Sequence, residues 1–291
     1  MPLLYTRAMK PRFTAHNIRL DDGSFTRSEG EPTIADHPWL RAAKRVIHNV
    51  FPEARRGLRL ADLGTLEGGY AVEFARMGLD VVGLEVRSSN FAACEYVRDR
   101  VDLPNLSFVL DDVWNVAKYG RFDVTFCCGL LYHLDRPRAM LKTLAEITDR
   151  VLILQTHFAP SHTAAVDRVP RRFRRMITRR TGDIGTGVGK FTLSRRVQNE
   201  GLYGRWFREF RDDAQFARRE DRRWSSWSNR RSFWIERPDL LQTLHALGFD
   251  LVLEQFDTLG DDLAASMRSG YYRTASRGTF VGIKSPLPMT G

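Results

Sequence analysis

The sequence contains few cysteines and no spacing that suits a metal site or a disulfide framework. Its 291 residues include three cysteines, Cys94, Cys127 and Cys128, and no C-x-x-C pair. Adjacent cysteines on a strand point to opposite faces, so Cys127 and Cys128 do not suit a disulfide. No cluster of His, Asp and Glu has metal-ligand spacing either. We therefore expect no metal site, and a reducing compartment, the cytoplasm.

Long apolar runs are absent as well. No stretch of about 18 apolar residues occurs, and the N-terminal stretch MPLLYTRAMKPRFTAHN lacks the apolar core of a secretory signal. Hydrophobic residues nevertheless make up 43% of the chain, which is enough for a large core. The sequence predicts a folded protein that does not enter a membrane.

Acidic residues are outnumbered in one segment. The formal net charge is +10, and residues 158–232 hold 19 Arg and Lys against 8 Asp and Glu, a local charge of +11. Seven of these arginines lie in residues 168–180. Because the remainder is near neutral, we expect the basic segment to present a surface of its own.

Short apolar segments alternate with segments of helical spacing up to residue 157. We expect strands at about 58–63, 80–86, 105–113, 121–129 and 151–157. Helices are expected near 37–50, 69–77, 90–101 and 135–148. This alternation predicts an α/β fold, a doubly wound parallel sheet with helices on both faces.

The alternation is interrupted once. Residues 158–232 are rich in arginine and show no clean strand, and regularity returns with a helix from about Pro238, a stop at Gly248, a strand, and a last strand at about 279–285. The predicted organisation is an N-terminal segment and helix (1–50), a cofactor-binding core (51–157), an insertion after the fifth strand (158–232) and a C-terminal part that completes the sheet (233–291).

A glycine-rich turn follows the first strand. In LADLGTLEGGY (60–70), Gly64 and Gly68 precede a helix, but Leu66 stands where a G-x-G-x-x-G fingerprint has its second glycine. A pyrophosphate needs a bare backbone at that position. Leu66 and the acidic Glu67 therefore argue against NAD and favour a cofactor without phosphates, which points to S-adenosylmethionine.

Acidic or small residues stand at the ends of four consecutive strands, where open α/β sheets bind ligands. Glu85 ends the second strand and can accept the hydroxyls of a ribose. Asp111 and Asp112 end the third and can accept from an adenine amino group. The candidate cofactor-binding residues are Asp62, Gly64, Thr65, Leu66, Gly68, Glu85, Val86, Asp111, Asp112, Val113, Cys128 and Gly129.

These motifs resemble those of the class I S-adenosylmethionine-dependent methyltransferases. DLGTLEGGY is similar to their first motif, GLEV to the acidic end of their second strand, DDV to the third and FDVTFCCGLLYHLDRP to the fourth-strand region. The resemblance implies S-adenosylmethionine as cofactor and a Rossmann-like sheet of seven strands with an antiparallel last strand. GLLYHLDRP and SNRRSFWIERPDLLQTLHALGF also resemble the tRNA wobble-uridine carboxymethyltransferases and their small-molecule relatives.

Two histidines follow the fourth and fifth strands. His133 lies just past the fourth strand beside Tyr132, and His157 ends the fifth. Histidine titrates near neutral pH, and a hydroxyl acceptor usually needs a proton acceptor. We therefore take His133 and His157 as catalytic candidates and Tyr132 as a substrate contact. A structural role in packing or helix capping is the alternative for each histidine.

Arginine alternates with aromatic residues in the second half of the insertion. Such a segment suits a lid over an anionic small substrate, a nucleic-acid surface, or a self-paired surface or oligomer contact. We favour the lid. The substrate candidates within it are Trp227, Asn229, Arg230 and Trp234, and anchoring of the insertion to the core is the alternative for the tryptophans.

The sequence as a whole predicts a cytoplasmic methyltransferase acting on a small polar, anionic or sugar-like metabolite, with oxygen favoured as the acceptor. An RNA-modifying enzyme that uses the basic insertion as its RNA platform is the first alternative. A non-catalytic nucleoside-binding protein is the second. A homodimer is compatible with each of them.

Overall fold

The computed structural model describes residues 10–53, 56–161, 193–256, 264 and 276–285. Ten strands are assigned in this part of the chain: β1 Arg59–Leu63, β2 Asp80–Glu85, β3 Leu106–Leu110, β4 Phe122–Cys128, β5 Thr148–His157, β6 Val197–Asn199, β7 Leu202–Arg208, β8 Arg231–Ile235, β9 Leu251–Gln255 and β10 Arg277–Ile283. The α-helices are α1 Pro38–Val50, α2 Gly69–Arg76, α3 Ser88–Arg98, α4 Pro137–Ile147, α5 Asp213–Ala217 and α6 Arg237–Ala246.

Seven of the strands form one sheet in the order β3-β2-β1-β4-β5-β10-β9. β1, β2 and β3 pair in parallel, β4 and β5 pair in parallel, and β10 runs antiparallel to both β5 and β9. The predicted α/β fold, with seven strands and an antiparallel last strand, is confirmed. By their contacts the residues fall into two compact units, Met1–Val116 and Ala117–Gly291.

The elements form where the apolar pattern predicts them because their apolar side chains are buried. Leu60 and Leu63 of β1 are fully buried, as are Leu152 and Leu154 of β5. Each such side chain contributes about 1.5–3 kcal/mol through burial. The predicted amphipathic helix is α1, and its buried residues include Leu40 and Ile47. β5 begins three residues before the predicted start.

The prediction of no clean strand between residues 158 and 232 is wrong. β6, β7 and β8 form a second, antiparallel sheet of three strands. Arg205 in β7 hides the pattern, because its side chain is buried rather than exposed and donates to the carbonyls of Pro160 and Ser194 at 3.2 and 3.1 Å. A charged residue at a buried position breaks the alternation from which strands are recognised.

The arginine cluster at 168–180 lies outside the described residues. Within the described part of the chain, no helix combines the length and the apolar character needed to cross a lipid bilayer.

Candidate functional site

The glycine turn, residues 64–69, keeps a glycine-like backbone although Leu66 interrupts it. Gly64, Leu66 and Gly68 have φ angles of 69°, 58° and 81°, and Leu66 enters this left-handed region at an energetic cost. The Leu66 amide donates to Glu85 Oε2 at 2.9 Å, which offsets part of that cost. At Gly68 a Cβ would lie 2.7 Å from the ring of Phe108, so a side chain is excluded there.

Glu85 connects the glycine turn to the end of β2. Its Oε1 accepts hydrogen bonds from the amides of Val86 and Arg87 at 3.0 and 2.8 Å. A carboxylate has about four acceptor positions, so three are used and one is left for a ligand hydroxyl. Burial raises the pKa of Glu85, against the lowering effect of the amide hydrogen bonds and the Arg87 charge.

Asp62 lies almost entirely inside the protein at the end of β1. Its Oδ2 accepts from the hydroxyl of Thr65 at 2.6 Å. Burial, with a smaller contribution from the negative charge of Glu85, raises the pKa of Asp62 from 3.8 to about 7. The hydrogen bond from Thr65 opposes this shift. The ends of β1 and β2 therefore each carry a buried carboxyl group, and that of Asp62 is partly protonated at neutral pH.

The N-terminal segment closes the start of α2. The amide of Gly69 donates to His16 Nδ1 at 3.0 Å, at the helix terminus where a dinucleotide would place its pyrophosphate. Burial lowers the pKa of His16 from 6.5 to about 4, although Glu67 opposes the shift. The imidazole is thus neutral at physiological pH and can accept this hydrogen bond.

Glu67 does not face a ligand, contrary to the reasoning that used its charge against a phosphate. Its fully buried carboxylate accepts from the amide and hydroxyl of Thr14 at 2.7 and 2.9 Å and from the amides of Ala15 and His16 at 3.0 and 2.8 Å. The conclusion that this turn does not bind a pyrophosphate depends instead on His16. Its Nδ1 already accepts the hydrogen bond of the Gly69 amide, the first amide of α2.

Two half-buried carboxylates follow β3. Asp111 Oδ1 accepts from the amide of Asp112 at 2.8 Å and from Asn115 Nδ2 at 2.6 Å. Asp112 Oδ1 accepts from the amide of Trp114 at 3.1 Å. Leu110, the last residue of β3, is 50% exposed, and a flat base would cover such an apolar side chain. Val113 is buried.

In the second unit, the ends of β4, β5 and β10 bring together a small polar group. Gln155 Oε1 accepts from Arg277 Nη2 at 2.7 Å and from Cys128 Sγ at 3.7 Å. Gln155 Nε2 is buried and has no hydrogen-bond partner among the described residues. Gly129 has a φ of 77°, and a Cβ there would lie 3.7 Å from the Tyr132 hydroxyl. Cys128, which ends β4, and Gly129, which follows it, thus lie close to Tyr132 and Arg277.

Both catalytic candidates also lie in the second unit, close to Tyr132. The His133 imidazole is 17% exposed, and its Nδ1 lies 2.9 Å from Glu209 Oε1. His157 packs edge-on to Tyr132 and stacks on Trp234, with ring centroids 4.6 Å apart in each case. Burial raises the pKa of Tyr132, and the charge of Arg277 opposes the shift.

Of the four substrate candidates in the insertion, two are joined to the residues around His133. Trp234 is 2% exposed, and its indole N–H donates to the Tyr132 carbonyl at 3.0 Å. Asn229 Nδ2 donates to the His133 carbonyl at 3.0 Å. The other two contact their own segment: the Arg219 guanidinium lies 4.7 Å from the Trp227 ring, and Arg230 pairs with Asp213 at 2.6 Å. Substrate binding by these residues stays a prediction.

The sequence did not predict four residues that contact the candidate site residues. They are His16 at the glycine turn, and Gln155, Glu209 and Arg277 near Tyr132 and His133. His16, Gln155 and Arg277 stand in segments without a motif. Glu209 had a weak signal, because it is an acidic residue set between aromatic and basic neighbours in WFREF. Among the described residues, no group of three or more His, Cys, Asp and Glu side chains is placed to hold a metal ion.

Comparison with known proteins identifies the class. Residues 61–152 match the family model described as a methyltransferase domain, and this range contains the glycine turn, Glu85 and both aspartates after β3. This range is a methyltransferase domain of the class I S-adenosylmethionine-dependent type, and its cofactor is S-adenosylmethionine. Both predictions are confirmed.

One curated relative is the tRNA U34 carboxymethyltransferase of Campylobacter lari. It is 28% identical over 127 residues, which are 42% of this chain and 43% of the relative. The chain thus spans less than half of that relative's length.

Two crystal structures of the N-terminal domain of EvdMO1 share the fold. The one with SAH bound has a TM-score of 0.56 at 23% identity, covering 86% of this chain and 82% of that chain. The one in the presence of SAH and D-fucose has a TM-score of 0.58 at 23% identity, covering 91% and 88%. At this level of identity the likeness concerns the fold.

The residues of the first unit fit S-adenosylmethionine. Glu85 would hold the ribose with its remaining acceptor position, and Asp111 and Asp112 would hold the adenine. The cofactor has no phosphate, so it does not need the helix terminus that His16 fills. When bound, it supplies an electrophilic methyl group.

Proposed function

We propose that this protein transfers the methyl group of S-adenosylmethionine to a hydroxyl group of a small polar metabolite. The observation that carries the proposal is the contact of His133 with Glu209 at 2.9 Å. A hydroxyl is a weak nucleophile until its proton is removed, and an imidazole fixed by a carboxylate is a suitable base. A neutral amine or a thiolate would not need one.

The polar group around Gln155 supports a polar or anionic acceptor. The Arg277 guanidinium lies 5.8 Å from the Tyr132 ring centroid, and the buried Nε2 of Gln155 is a donor. Donors of this kind recognise hydroxyl and carboxylate oxygens. Because D-fucose was present with one EvdMO1 crystal, sugars and sugar acids are the first acceptors to test.

The insertion supports the role of a cover on the acceptor side. β8 and the segment before it contact the 131–134 turn, which carries Tyr132 and His133, through side-chain and backbone hydrogen bonds. A segment attached in this way can shield the acceptor from water. We propose that it covers a metabolite, in a cytoplasmic enzyme.

A second candidate function is the methylation of RNA. The tRNA U34 carboxymethyltransferase relative favours it, and so does Trp224, which is 64% exposed beside Arg222 and Arg223. Exposed aromatic and arginine side chains suit single-stranded RNA. Against it, Arg218 and Arg230 are paired with Asp221 and Asp213, which reduces the charge offered to phosphates.

The test is a methyl-transfer assay that offers both acceptor classes. The purified full chain is incubated with S-adenosylmethionine and either a panel of sugars and sugar acids, D-fucose included, or unmodified tRNA, and SAH is quantified by mass spectrometry. We expect turnover with a small acceptor. Methylation of tRNA with no small acceptor turned over would refute the proposal.

The role of His133 is tested in the same assay. His133→Ala should lower kcat about 10²–10⁴-fold, the usual contribution of a general base. The dissociation constant of SAH, measured by calorimetry, should stay within about twofold, because His133 is assigned to the acceptor hydroxyl and not to the cofactor. The matched control is His48→Ala on the surface of α1. A full kcat in His133→Ala would contradict the assignment.

A further inference from the structure

Three consecutive carbonyl groups of the 131–134 turn are held by residues 229–234, which span the end of the insertion and most of β8. The Tyr132 carbonyl accepts from Trp234 Nε1 at 3.0 Å, the His133 carbonyl accepts from Asn229 Nδ2 at 3.0 Å, and the Leu134 carbonyl accepts from the Phe233 amide at 2.8 Å. Since all three donors come from residues 229–234, the backbone of His133 is fixed by the end of the insertion together with β8.

The side chain of His133 is fixed by a residue of the same insertion. Glu209 directly follows β7, and its side chain is 1% exposed. Its Oε1 lies 2.9 Å from His133 Nδ1 and accepts from the Ser232 hydroxyl at 2.7 Å. Its Oε2 accepts from the Ser226 amide at 3.1 Å. Both oxygens are therefore bound by donors, which holds the carboxylate in one orientation.

This geometry defines which nitrogen of His133 carries the proton. An ionised carboxylate only accepts hydrogen bonds, so Nδ1 must be the donor in its contact with Glu209. In the neutral ring the lone pair then lies on Nε2. The arrangement has the logic of a base oriented by a third group, in which the carboxylate sets the tautomer and stabilises the imidazolium that forms.

We propose that Glu209 is a positioning residue that keeps His133 in the Nδ1–H tautomer, so that Nε2 takes the proton of the acceptor hydroxyl. The proposal rests on the proposed function. In the reaction a bond forms between the acceptor oxygen and the methyl carbon while the bond between that carbon and sulfur breaks. The hydroxyl proton passes to Nε2, and the imidazolium later releases it to water.

Replacing Glu209 with glutamine should change the tautomer for a definite reason. If the amide oxygen faces His133, its NH2 group meets the Ser226 amide, and two donors oppose each other. If the amide is turned round, its oxygen accepts from Ser226 and its NH2 group faces His133 Nδ1. Nδ1 must then accept, and the proton moves to Nε2, which abolishes the base.

The first experiment needs no substrate. Protein labelled with 15N at histidine is studied at pH 8.5 by long-range 1H–15N correlation, and the His133 signals are identified by their loss in His133→Ala. We expect Nδ1 protonated and Nε2 unprotonated in the native protein, and the reverse tautomer in Glu209→Gln. Glu209→Asp keeps an acceptor-only group and should keep the native tautomer.

Ser232→Ala is the matched control. It removes one hydrogen bond to Glu209 Oε1 without replacing the carboxylate, so the tautomer should stay native. Native His133 with its proton on Nε2, or an unchanged tautomer in Glu209→Gln, would overturn the proposal. If Glu209→Gln does not fold, the proposal is tested by the tautomer of His133 in the native protein and in Glu209→Asp. A proton on Nδ1 in both supports it, and a proton on Nε2 overturns it.

The second experiment separates this proposal from the proposed function. With the acceptor found by the methyl-transfer assay, Glu209→Gln should lower kcat about 10- to 10³-fold, no more than loss of the base itself, and leave KM within about threefold. Suppose that the tautomer of His133 shifts in Glu209→Gln but that kcat is unchanged in His133→Ala. This result would refute His133 as the base and would leave its positioning by Glu209 intact. An unshifted tautomer refutes the positioning alone.

Discussion

Leu66 shows at the scale of one residue how a departure from a motif is accommodated. The sequence has leucine where a glycine is usual, yet the backbone takes the left-handed conformation with a φ of 58°. Its amide bonds to Glu85 and its carbonyl accepts from Cys94 Sγ at 3.4 Å. Local hydrogen bonds thus enforce a conformation that the residue itself disfavours.

Asp62 allows a prediction at the same scale. Its folded pKa of about 7 lies above the ordinary value of 3.8, so its contribution to stability is fully present below pH 3.8 and is lost as the pH rises through 7. Asp62→Asn keeps an oxygen for the Thr65 hydroxyl and removes the charge. We expect its free energy of unfolding to exceed that of the native protein by about 1–4 kcal/mol at pH 8.

The measurement is urea denaturation at pH 8 and pH 5. At pH 5 the folded carboxyl is protonated but the unfolded one is mostly ionised, so the advantage of Asp62→Asn should fall to less than about half of its value at pH 8. Asp80→Asn, at the exposed start of β2, is the control and should behave like the native protein at both values. An equal effect of Asp62→Asn at pH 5 and pH 8 would refute the assigned protonation.

At the scale of elements, one carboxylate attaches the N-terminal segment to the first unit. Glu67 accepts four hydrogen bonds from residues 14–16, and His16 caps α2. Because Glu67 directly precedes Gly68 and the helix, residues 14–16 are held against the glycine turn. His16 occupies the N-terminus of α2, where a phosphate would otherwise bind.

Glu67→Gln should detach this segment. The amide NH2 group would face donors where an oxygen now accepts, and each buried donor left unsatisfied costs about 1–3 kcal/mol. We expect a loss of about 2–4 kcal/mol in the free energy of unfolding, with faster hydrogen exchange at the amides of residues 14–16.

The comparison variant is Glu73→Gln in α2. It breaks the ion pairs with Lys44 and Arg76 but none of the hydrogen bonds to residues 14–16. The amides of residues 14–16 should keep their protection in this variant. Equal protection of these amides in Glu67→Gln and Glu73→Gln would contradict the role assigned to Glu67.

The three-stranded sheet of β6, β7 and β8 carries residues that contact the 131–134 turn. The basic composition of the insertion suggested contacts with an anion, but its residues Glu209 and Asn229, together with Trp234 of β8, hold the 131–134 turn. Glu209, Asn229 and Trp234 act on Tyr132 and His133 through hydrogen bonds rather than through charge.

At the scale of the whole molecule, cofactor binding should stabilise the fold. A ligand present at about 100 times its dissociation constant adds about 2.7 kcal/mol, which in a chain of this size corresponds to roughly 5–10 °C in Tm. We expect this shift on addition of SAH, measured by differential scanning calorimetry.

Glu85→Ala should abolish the shift, because it removes the acceptor assigned to the ribose. Glu95→Ala, on α3 and without a bond to the glycine turn in the described contacts, should keep the full shift. A native protein that gains no stability from SAH, or a Glu85→Ala variant that gains as much as the native one, would contradict the cofactor site.

Much of the first unit could be predicted from the sequence because its signals are local. The apolar strands, the glycine turn and the acidic strand ends follow one another in one stretch of the sequence, from residue 58 to 113. The three-stranded sheet of the insertion could not be predicted, since a buried Arg205 and exposed arginines obscure the strand pattern.

The sequence by itself determined the α/β fold, the methyltransferase class and the cofactor, because short-range spacing specifies a turn and the strand that precedes it. The tertiary structure alone decided that His16 closes the start of α2, that Glu67 binds the N-terminal segment and that Glu209 meets His133. These partners lie 53, 51 to 53 and 76 residues apart along the chain. Such pairs form only when packing brings distant segments together, and no local pattern records them.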